Sequence, residues 1–283
     1  VIVEEFKQSL KMPEVEELLD LFFYRPIAFL FVKAVYRWRI TPNQITIVSG
    51  LFGLLAAWCF SRSTSFLAWG ALFYAVANIL DCSDGQLARL QGSGTQFGRI
   101  IDGMTDYVAT IAIFIGLGIG FSGSGESRWL LVILAGISSA VHAFFFDRHQ
   151  SEFMSVLRGE HHPPFREREQ YEDHIRGVTV SRRSVLTASL LRLYVAYLKI
   201  QEQVYQTRRE RSFDPDSYRK RNLRMIRFWS FLGPTTNRSL LIVCALSSRP
   251  DVYLWLIILA GNLWLIICLL YQRRIYGELL QEA

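Results

Sequence analysis

The sequence predicts an all-α integral membrane protein. It reads as six transmembrane helices, an N-terminal amphipathic interfacial helix, and a helical cytoplasmic insertion between helices 4 and 5. Three observations carry this. Apolar residues make up 51% of 283 positions and gather in blocks near the roughly 20 residues a helix needs to cross a bilayer. Lys and Arg fall unevenly about those blocks, and four aspartates stand within the apolar region at helical intervals.

The six blocks are 44–60, 66–80 continuing to 90, 100–121, 129–146, 228–247 and 252–271. Buried helices of a soluble protein are the competing reading, which six such blocks in one chain argue against. The net charge of +6 would by itself suit nucleic acid, but its distribution suits a membrane surface. With the N-terminus inside, the three outer turns carry Arg62, Arg128 and Arg249, and almost all other Lys and Arg lie opposite. That is the positive-inside pattern, and it places both termini in the cytoplasm.

Before the first crossing, 12–39 reads as an amphipathic helix lying at the interface, with Leu18, Leu19, Phe22 and Phe23 on one side. Arg37, Trp38 and Arg39 suit the headgroup region. "TPNQIT" (41–46) opens the first crossing, with Thr41 or Asn43 as cap and Pro42 in the first turn. "QGSGT" (91–95) and "SGSGES" (122–127) are turns on opposite sides.

The stretch 149–227 is rich in Arg and Glu, holds His161 and His162 in "HHPPF", and is too long for a plain connection. Within it 184–205, preceded by Arg182 and Arg183, has apolar residues at helical spacing and reads as a second interfacial helix or one packed on the cytoplasmic face. The layout is one domain over 1–283: interfacial helix 12–39, helices 1–4 over 43–148, insertion 149–227, and helices 5–6 over 228–272. Cys59, Cys82, Cys244 and Cys268 sit in apolar segments without metal-ligand spacing, so no disulfide framework is indicated. The opening "VIVEEF" has neither a methionine nor a signal-peptide pattern, which suits a trimmed or partial chain.

The aspartates need a reason, because a carboxylate at a helix centre costs roughly 2.5–3.5 kcal/mol on insertion scales. Asp81 and Asp84 are three apart and Asp102 and Asp106 four apart, so each pair shares a helix face. The short turn between the pairs makes their helices antiparallel neighbours. Asp84 lies seven residues before Gln91 and Asp102 seven after Thr95, so all four carboxylates are expected to converge near the cytoplasmic surface. Such a cluster needs a counter-charge. Oxygen-only ligation favours Mg²⁺, Mn²⁺ or Ca²⁺ over zinc, and metal beside a membrane suits phosphate chemistry. Gly85, Ala88 and Gly98 leave room on the aspartate face, and Arg89 is placed to meet a phosphate. Each also has a plain reading, as helix packing or a membrane-surface anchor.

The run Asp81-x2-Asp84-Gly85-x2-Ala88-Arg89-x8-Gly98-x3-Asp102-x3-Asp106 resembles the signature of the CDP-alcohol phosphotransferase (CDP-alcohol phosphatidyltransferase) family at every position and interval. "TPNQIT" also resembles the family, and the long 149–227 segment departs from its shorter members. The resemblance implies an enzyme of phospholipid biosynthesis. It would transfer a substituted phosphate from a CDP-linked donor, CDP-diacylglycerol or a CDP-alcohol, to an acceptor hydroxyl, releasing CMP and forming a phosphodiester. It implies one or two divalent ions, Mg²⁺ or Mn²⁺, on Asp81, Asp84 and Asp102, with Asp106 beside them as general base or a further ligand. It implies a CDP site lined by Gly85, Ala88, Arg89 and Gly98, and a homodimer; "GLGIG" (116–120) is a candidate helix contact for one. Asn43 and Thr46 are weaker nucleotide candidates, since both also suit the start of a helix.

For the acceptor, Gly233-Pro234 marks a break, and Asn237 and Arg238 follow by one turn. Arg238 suits an acceptor phosphate, or snorkels to the headgroups. His142 and Asp147 read as helix-to-helix hydrogen bonding. The alternative function is a polytopic transporter with an acidic divalent-cation site. It leaves Gly85, Ala88, Arg89 and Gly98 unexplained and lacks paired broken helices in two related halves. An inactive membrane scaffold is disfavoured by the complete aspartate set.

Overall fold

The computed structural model describes residues 2–38, 40–123, 125, 127–159 and 214–282, and among them there is no strand. In chain order the helices are α1 (Ile2–Ser9), a π-helical turn (Asp20–Tyr24) running into α2 (Arg25–Val35), α3 (Pro42–Phe60), α4 (Leu67–Gln91), α5 (Gln96–Gly123) and α6 (Trp129–Leu157). Then come α7 (Pro215–Trp229), α8 (Pro234–Leu246), α9 (Pro250–Trp255), a second π-helical turn (Leu256–Gly261) and α10 (Asn262–Glu282).

Local chemistry sets the boundaries that matter for the site. Thr41 caps α3: its hydroxyl accepts the Gln44 N–H, the Gln44 side chain accepts the Thr41 N–H, and Pro42 takes the first turn. Asn43 is thereby spared capping. Helix α4 ends at Gln91 because Gly92 turns left-handed, φ 59°. The short turn that follows returns the chain antiparallel as α5.

Helix α3 packs on both α4 and α5. A Cβ on Gly53 would lie 2.8 Å from Ala109 Cβ, and Cβ atoms on Gly116 and Gly120 would collide with the carbonyls of Ala57 and Phe60. The glycines of "GLGIG" therefore serve α3–α5 contact inside one chain, with Gly118 against the Trp129 ring. Phe60, Tyr74, Ile113, Leu117, Leu241 and Leu254 fill the core at that level.

Five segments, Pro42–Phe60, Thr64–Gln91, Gly98–Gly123, Trp129–Leu157 and Pro250–Leu279, are long and apolar enough to cross a membrane. The block 228–247 is realised differently. Helix α7 runs through Trp229, a 3₁₀ turn covers Ser230–Leu232, Gly233 is extended (φ −69°, ψ 158°), and α8 starts at Pro234. Proline has no N–H to continue a helix and pushes the preceding residue out of the helical region. The resulting α8 has 13 residues, shorter than the roughly 20 of a full crossing.

Two further boundaries differ from expectation. Helix α6 continues past 146 to Leu157, because its last turns bury against α7; the His149 ring stacks on Trp229 with centroids 4.0 Å apart. Residues 149–157 thus belong to the fourth long helix, not to the insertion. At the other end, 12–39 is not one helix. It is turn structure up to Glu17, and the chain is helical from Leu18 through the π turn and α2, with Leu19, Phe22, Phe23 and Leu30 exposed and Leu18 half-buried. The expected helix over 184–205, with Arg182, Arg183, His161 and His162, lies outside the described residues.

Candidate active site

Helices α4 and α5 each present their aspartate pair to the groove beside α3. One carboxylate oxygen from each of Asp81, Asp84 and Asp102 lies within 4.8 Å of the others. Asp84 is buried and accepts a hydrogen bond from Thr46 Oγ1 at 2.5 Å. Asp102 Oδ1 is buried with no hydrogen-bond partner. Three carboxylates this close, one with an unused buried oxygen, repel one another unless a cation lies among them. The donor set is all oxygen, which fits a hard divalent ion.

Asp106 joins the cluster beside the trio rather than within it, its side chain against that of Asp81. Asp106 Oδ2 is 2.6 Å from Arg238 Nη2. Arg238 Nη1 also reaches Asp81 Oδ2 at 3.0 Å and Asn78 Oδ1 at 2.9 Å. Arginine cannot shed its charge, so a guanidinium only 8% exposed among apolar helices needs these counter-charges. Asp106 stands one turn along α5 from Asp102, level with the place where α8 delivers Arg238.

The predicted nucleotide residues border the trio. Asn43 Oδ1 lies where a Cβ on Gly98 would be 3.0 Å away, so α3 and α5 approach closely there. Thr46 touches Asp84. Arg89 folds back over Gly85, where a Cβ would be 3.3 Å from its Nη2. Its Nε donates to the Ser9 carbonyl, while Nη2 is buried without a partner. Ala88 is half-buried beside it. The two acceptor candidates are not brought together. Arg238 faces the aspartates; Asn237 donates to Ser139 Oγ at 2.7 Å and accepts from Tyr253 Oη at 2.5 Å. His142 does bond between helices, to Asn262 at 3.0 Å.

Sequence reasoning missed Glu17 and Asn78. The Glu17 carboxylate accepts the backbone N–H groups of Thr235 (3.0 Å) and Thr236 (2.8 Å) and the Thr236 hydroxyl (2.9 Å). It caps α8 from 218 residues away, filling the space a Cβ on Gly233 would need. Burial first, and then the charge of Asp20, push Glu17 up to about 8, against the pull of those hydrogen bonds. The same strap is tied to α4 through Arg25, which pairs with Glu16 at 3.0 Å and donates to the Cys82 carbonyl at 3.3 Å. An isolated glutamate carries no spacing that points to so distant a partner.

Fold and site define a polytopic membrane protein with a carboxylate centre between α4 and α5. Residues 39–159 match the family model for CDP-alcohol phosphatidyltransferase, and all four aspartates lie inside that segment. The chain is similar to archaetidylinositol phosphate synthase of Pyrococcus horikoshii, 37% identical over 100 residues, which cover 35% of this chain and 50% of the relative. It is similar to phosphatidylinositol phosphate synthase of Corynebacterium glutamicum, 35% identical over 89 residues, 31% of this chain and 38% of the relative. It is also similar to CDP-diacylglycerol–inositol 3-phosphatidyltransferase of Rattus norvegicus, 32% identical over 118 residues, 42% of this chain and 50% of the relative. The matched part spans half or less of the length of these relatives.

Proposed function

We propose that this protein transfers a phosphatidyl-type group from a CDP-linked lipid to the hydroxyl of an inositol or inositol phosphate, releasing CMP. The carrying observation is the 4.8 Å trio of Asp81, Asp84 and Asp102 with its unpartnered buried oxygen, inside the segment that matches the family model. The names of the relatives support the acceptor class.

In this reading Asp81, Asp84 and Asp102 hold Mg²⁺ or Mn²⁺, one or two ions. Bound there, such ions supply charge neutralisation to the donor pyrophosphate. Asn43, Thr46, Gly85, Ala88, Arg89 and Gly98 border the nucleotide, with the free Nη2 of Arg89 available to a phosphate oxygen. Asp106 takes the proton from the acceptor hydroxyl. Arg238, across from it, orients that carboxylate until the acceptor phosphate competes for the guanidinium. Asn237 is engaged on the other side of α8 and serves the acceptor only by fixing that helix.

The finer membrane layout belongs to the same proposal. Helix α8 completes a sixth, short crossing together with the 3₁₀ turn before it. The site faces the cytoplasm, a reading supported by the sparse basic residues Arg62, Arg128 and Arg249 on the opposite turns. A homodimer is implied by the family alone, since the 116–120 glycines are spent within the chain.

The test is CMP release by purified protein with Mn²⁺ or Mg²⁺, CDP-diacylglycerol, and a panel of inositol phosphate, inositol, glycerol phosphate and serine. Asp106→Asn is the control. Release with one acceptor, abolished in the variant, establishes the reaction and names the substrate. Cation-dependent flux with no CMP from any CDP-linked donor would establish the transporter instead.

A further inference from the structure

Helix α8 carries Arg238 to the aspartates, yet its own N-cap residue does nothing to fix where it begins. Gly233 has no side chain to accept the first N–H groups of the helix, a task serine or asparagine would perform locally. The Gly233 backbone, φ −69° and ψ 158°, is open to any residue. Space is what excludes a side chain there: a Cβ would collide with the Glu17 carboxyl carbon. Gly233 and Glu17 are two halves of one joint.

Glu17 supplies the missing acceptors. Its Oε1 accepts the Thr235 N–H at 3.0 Å and its Oε2 the Thr236 N–H at 2.8 Å. Thr235 and Thr236 follow Pro234 in the first turn, where a cap acts. The same segment grips the far flank of Arg238. Ser239 Oγ donates its one proton to the Thr235 carbonyl at 2.7 Å, so Tyr24 Oη is the donor in the 3.0 Å pair with Ser239 Oγ. Arg238 is bracketed by contacts from Glu17 and Tyr24.

That segment is fastened in turn to α4 beside the carboxylate trio. Arg25 Nη1 donates to the Cys82 carbonyl at 3.3 Å, and Gln86 Nε2 donates to the Arg25 carbonyl at 3.2 Å. Cys82 and Gln86 flank Asp84 in the sequence. Arg238 closes the circuit from α8 back to α4 and α5, through Asp81 and Asp106. A slide or rotation of α8 that moves Arg238 must break the Glu17 bonds.

We propose that Glu17 is a positioning residue: through the first turn of α8 it sets the depth and rotation at which Arg238 stands across from Asp106. Its consequence for the acceptor rests on the transferase reading above. Glu17 acts through Arg238 and takes no part in the chemistry itself.

The experiment uses the full chain in phosphatidylcholine nanodiscs, with Glu17→Ala, Glu17→Gln, Gly233→Ala and the two alanine changes combined. The first readout needs no turnover. Phenylglyoxal modifies accessible arginines, and mass spectrometry of the peptides gives the rate at Arg238. In the parent Arg238, 8% exposed and paired with Asp81 and Asp106, should be protected. Glu17→Ala should speed its modification about tenfold, as expected for local opening once buried donors lose their acceptor, with Arg249 on the opposite turn unchanged. Gly233→Ala, which pushes Glu17 aside, should do the same. The combined variant should be no faster than either single one, because both changes break one joint. Glu17→Gln keeps one acceptor oxygen at the same reach and should fall between the parent and Glu17→Ala.

The second readout is CMP release with CDP-diacylglycerol and the acceptor that the parent uses. In Glu17→Ala the acceptor KM should rise about tenfold while the donor KM stays unchanged. A cap that merely held the fold would lower kcat with the folded fraction and leave both KM values alone, and that result overturns the proposal. So does parent-like protection of Arg238 in Glu17→Ala and Gly233→Ala, or additive effects in the combined variant. If Glu17→Ala yields no folded protein, Gly233→Ala and Glu17→Gln decide by the same Arg238 rates. A parent that releases no CMP with any acceptor overturns the transferase reading instead, and the Arg238 rates alone then decide the positioning.

Discussion

Arg238 Nη2 lies 2.6 Å from Asp106 Oδ2, while the neighbouring Nη1 holds Asp81 at 3.0 Å. One guanidinium thus bridges the proposed base and a proposed metal ligand. Removing it leaves two carboxylates facing each other without a cation. Arg238→Ala should destabilise the protein by about 2–4 kcal/mol, at or below the cost of breaking a fully buried pair because Asp106 is 37% exposed. It should also cut kcat for CMP release about 10²-fold or more, with Arg238→Lys intermediate since lysine lacks the fork that spans both partners. Thermal unfolding in detergent and initial rates check both; a variant as stable and active as the parent would remove Arg238 from the site.

Divalent ions should separate the roles of the four aspartates. At a hundred times its dissociation constant a bound ion stabilises the fold by about 2.7 kcal/mol. Mn²⁺ should raise the melting temperature of the parent and of Asp106→Asn, but not of Asp81→Asn, Asp84→Asn or Asp102→Asn. All four should lose CMP release. Loss of the Mn²⁺ shift in Asp106→Asn as well would make Asp106 a ligand.

Glu17 makes stability depend on pH. Its carboxyl is raised from 4.5 to about 8 in the folded chain. A raised folded value means the stabilising contribution is complete below the unfolded value and is lost as pH climbs through the folded one. The protein should therefore weaken between about pH 5 and pH 8, by on the order of 3–5 kcal/mol if Glu17 alone titrates. Glu17→Gln should flatten that slope in chemical denaturation across the same pH series. An unchanged slope would show that the three α8 donors keep Glu17 ionised throughout.

Close helix approach gives a purely structural prediction. A Cβ on Gly116 would collide with the Ala57 carbonyl, whereas one on Gly94 meets nothing within 4 Å. Gly116→Ala should cost about 1–3 kcal/mol through overpacking, and Gly94→Ala should stay within about 0.5 kcal/mol. Paired melting curves test it; equal effects would place the α3–α5 contact elsewhere.

Much of the molecule was legible because it repeats or counts. The aspartates at 81, 84, 102 and 106, with the turn between them, determined that two antiparallel helices would gather acidic groups. Thr41, Pro42 and Gln44 determined where α3 begins, and Gly92 where α4 ends. Spacing along one helix fixes a face, and a short turn fixes the neighbour, so these follow from local geometry. What only the tertiary structure decided are contacts between residues far apart in the chain. Asp106 pairs with Arg238, 132 residues later by number (238 − 106). Glu17 caps α8 across the whole domain. Asn237 and Arg238, adjacent in sequence, serve opposite sides of one helix. Each is settled by which helices pack together and how deep each charge then lies, and no periodicity in the chain encodes that depth.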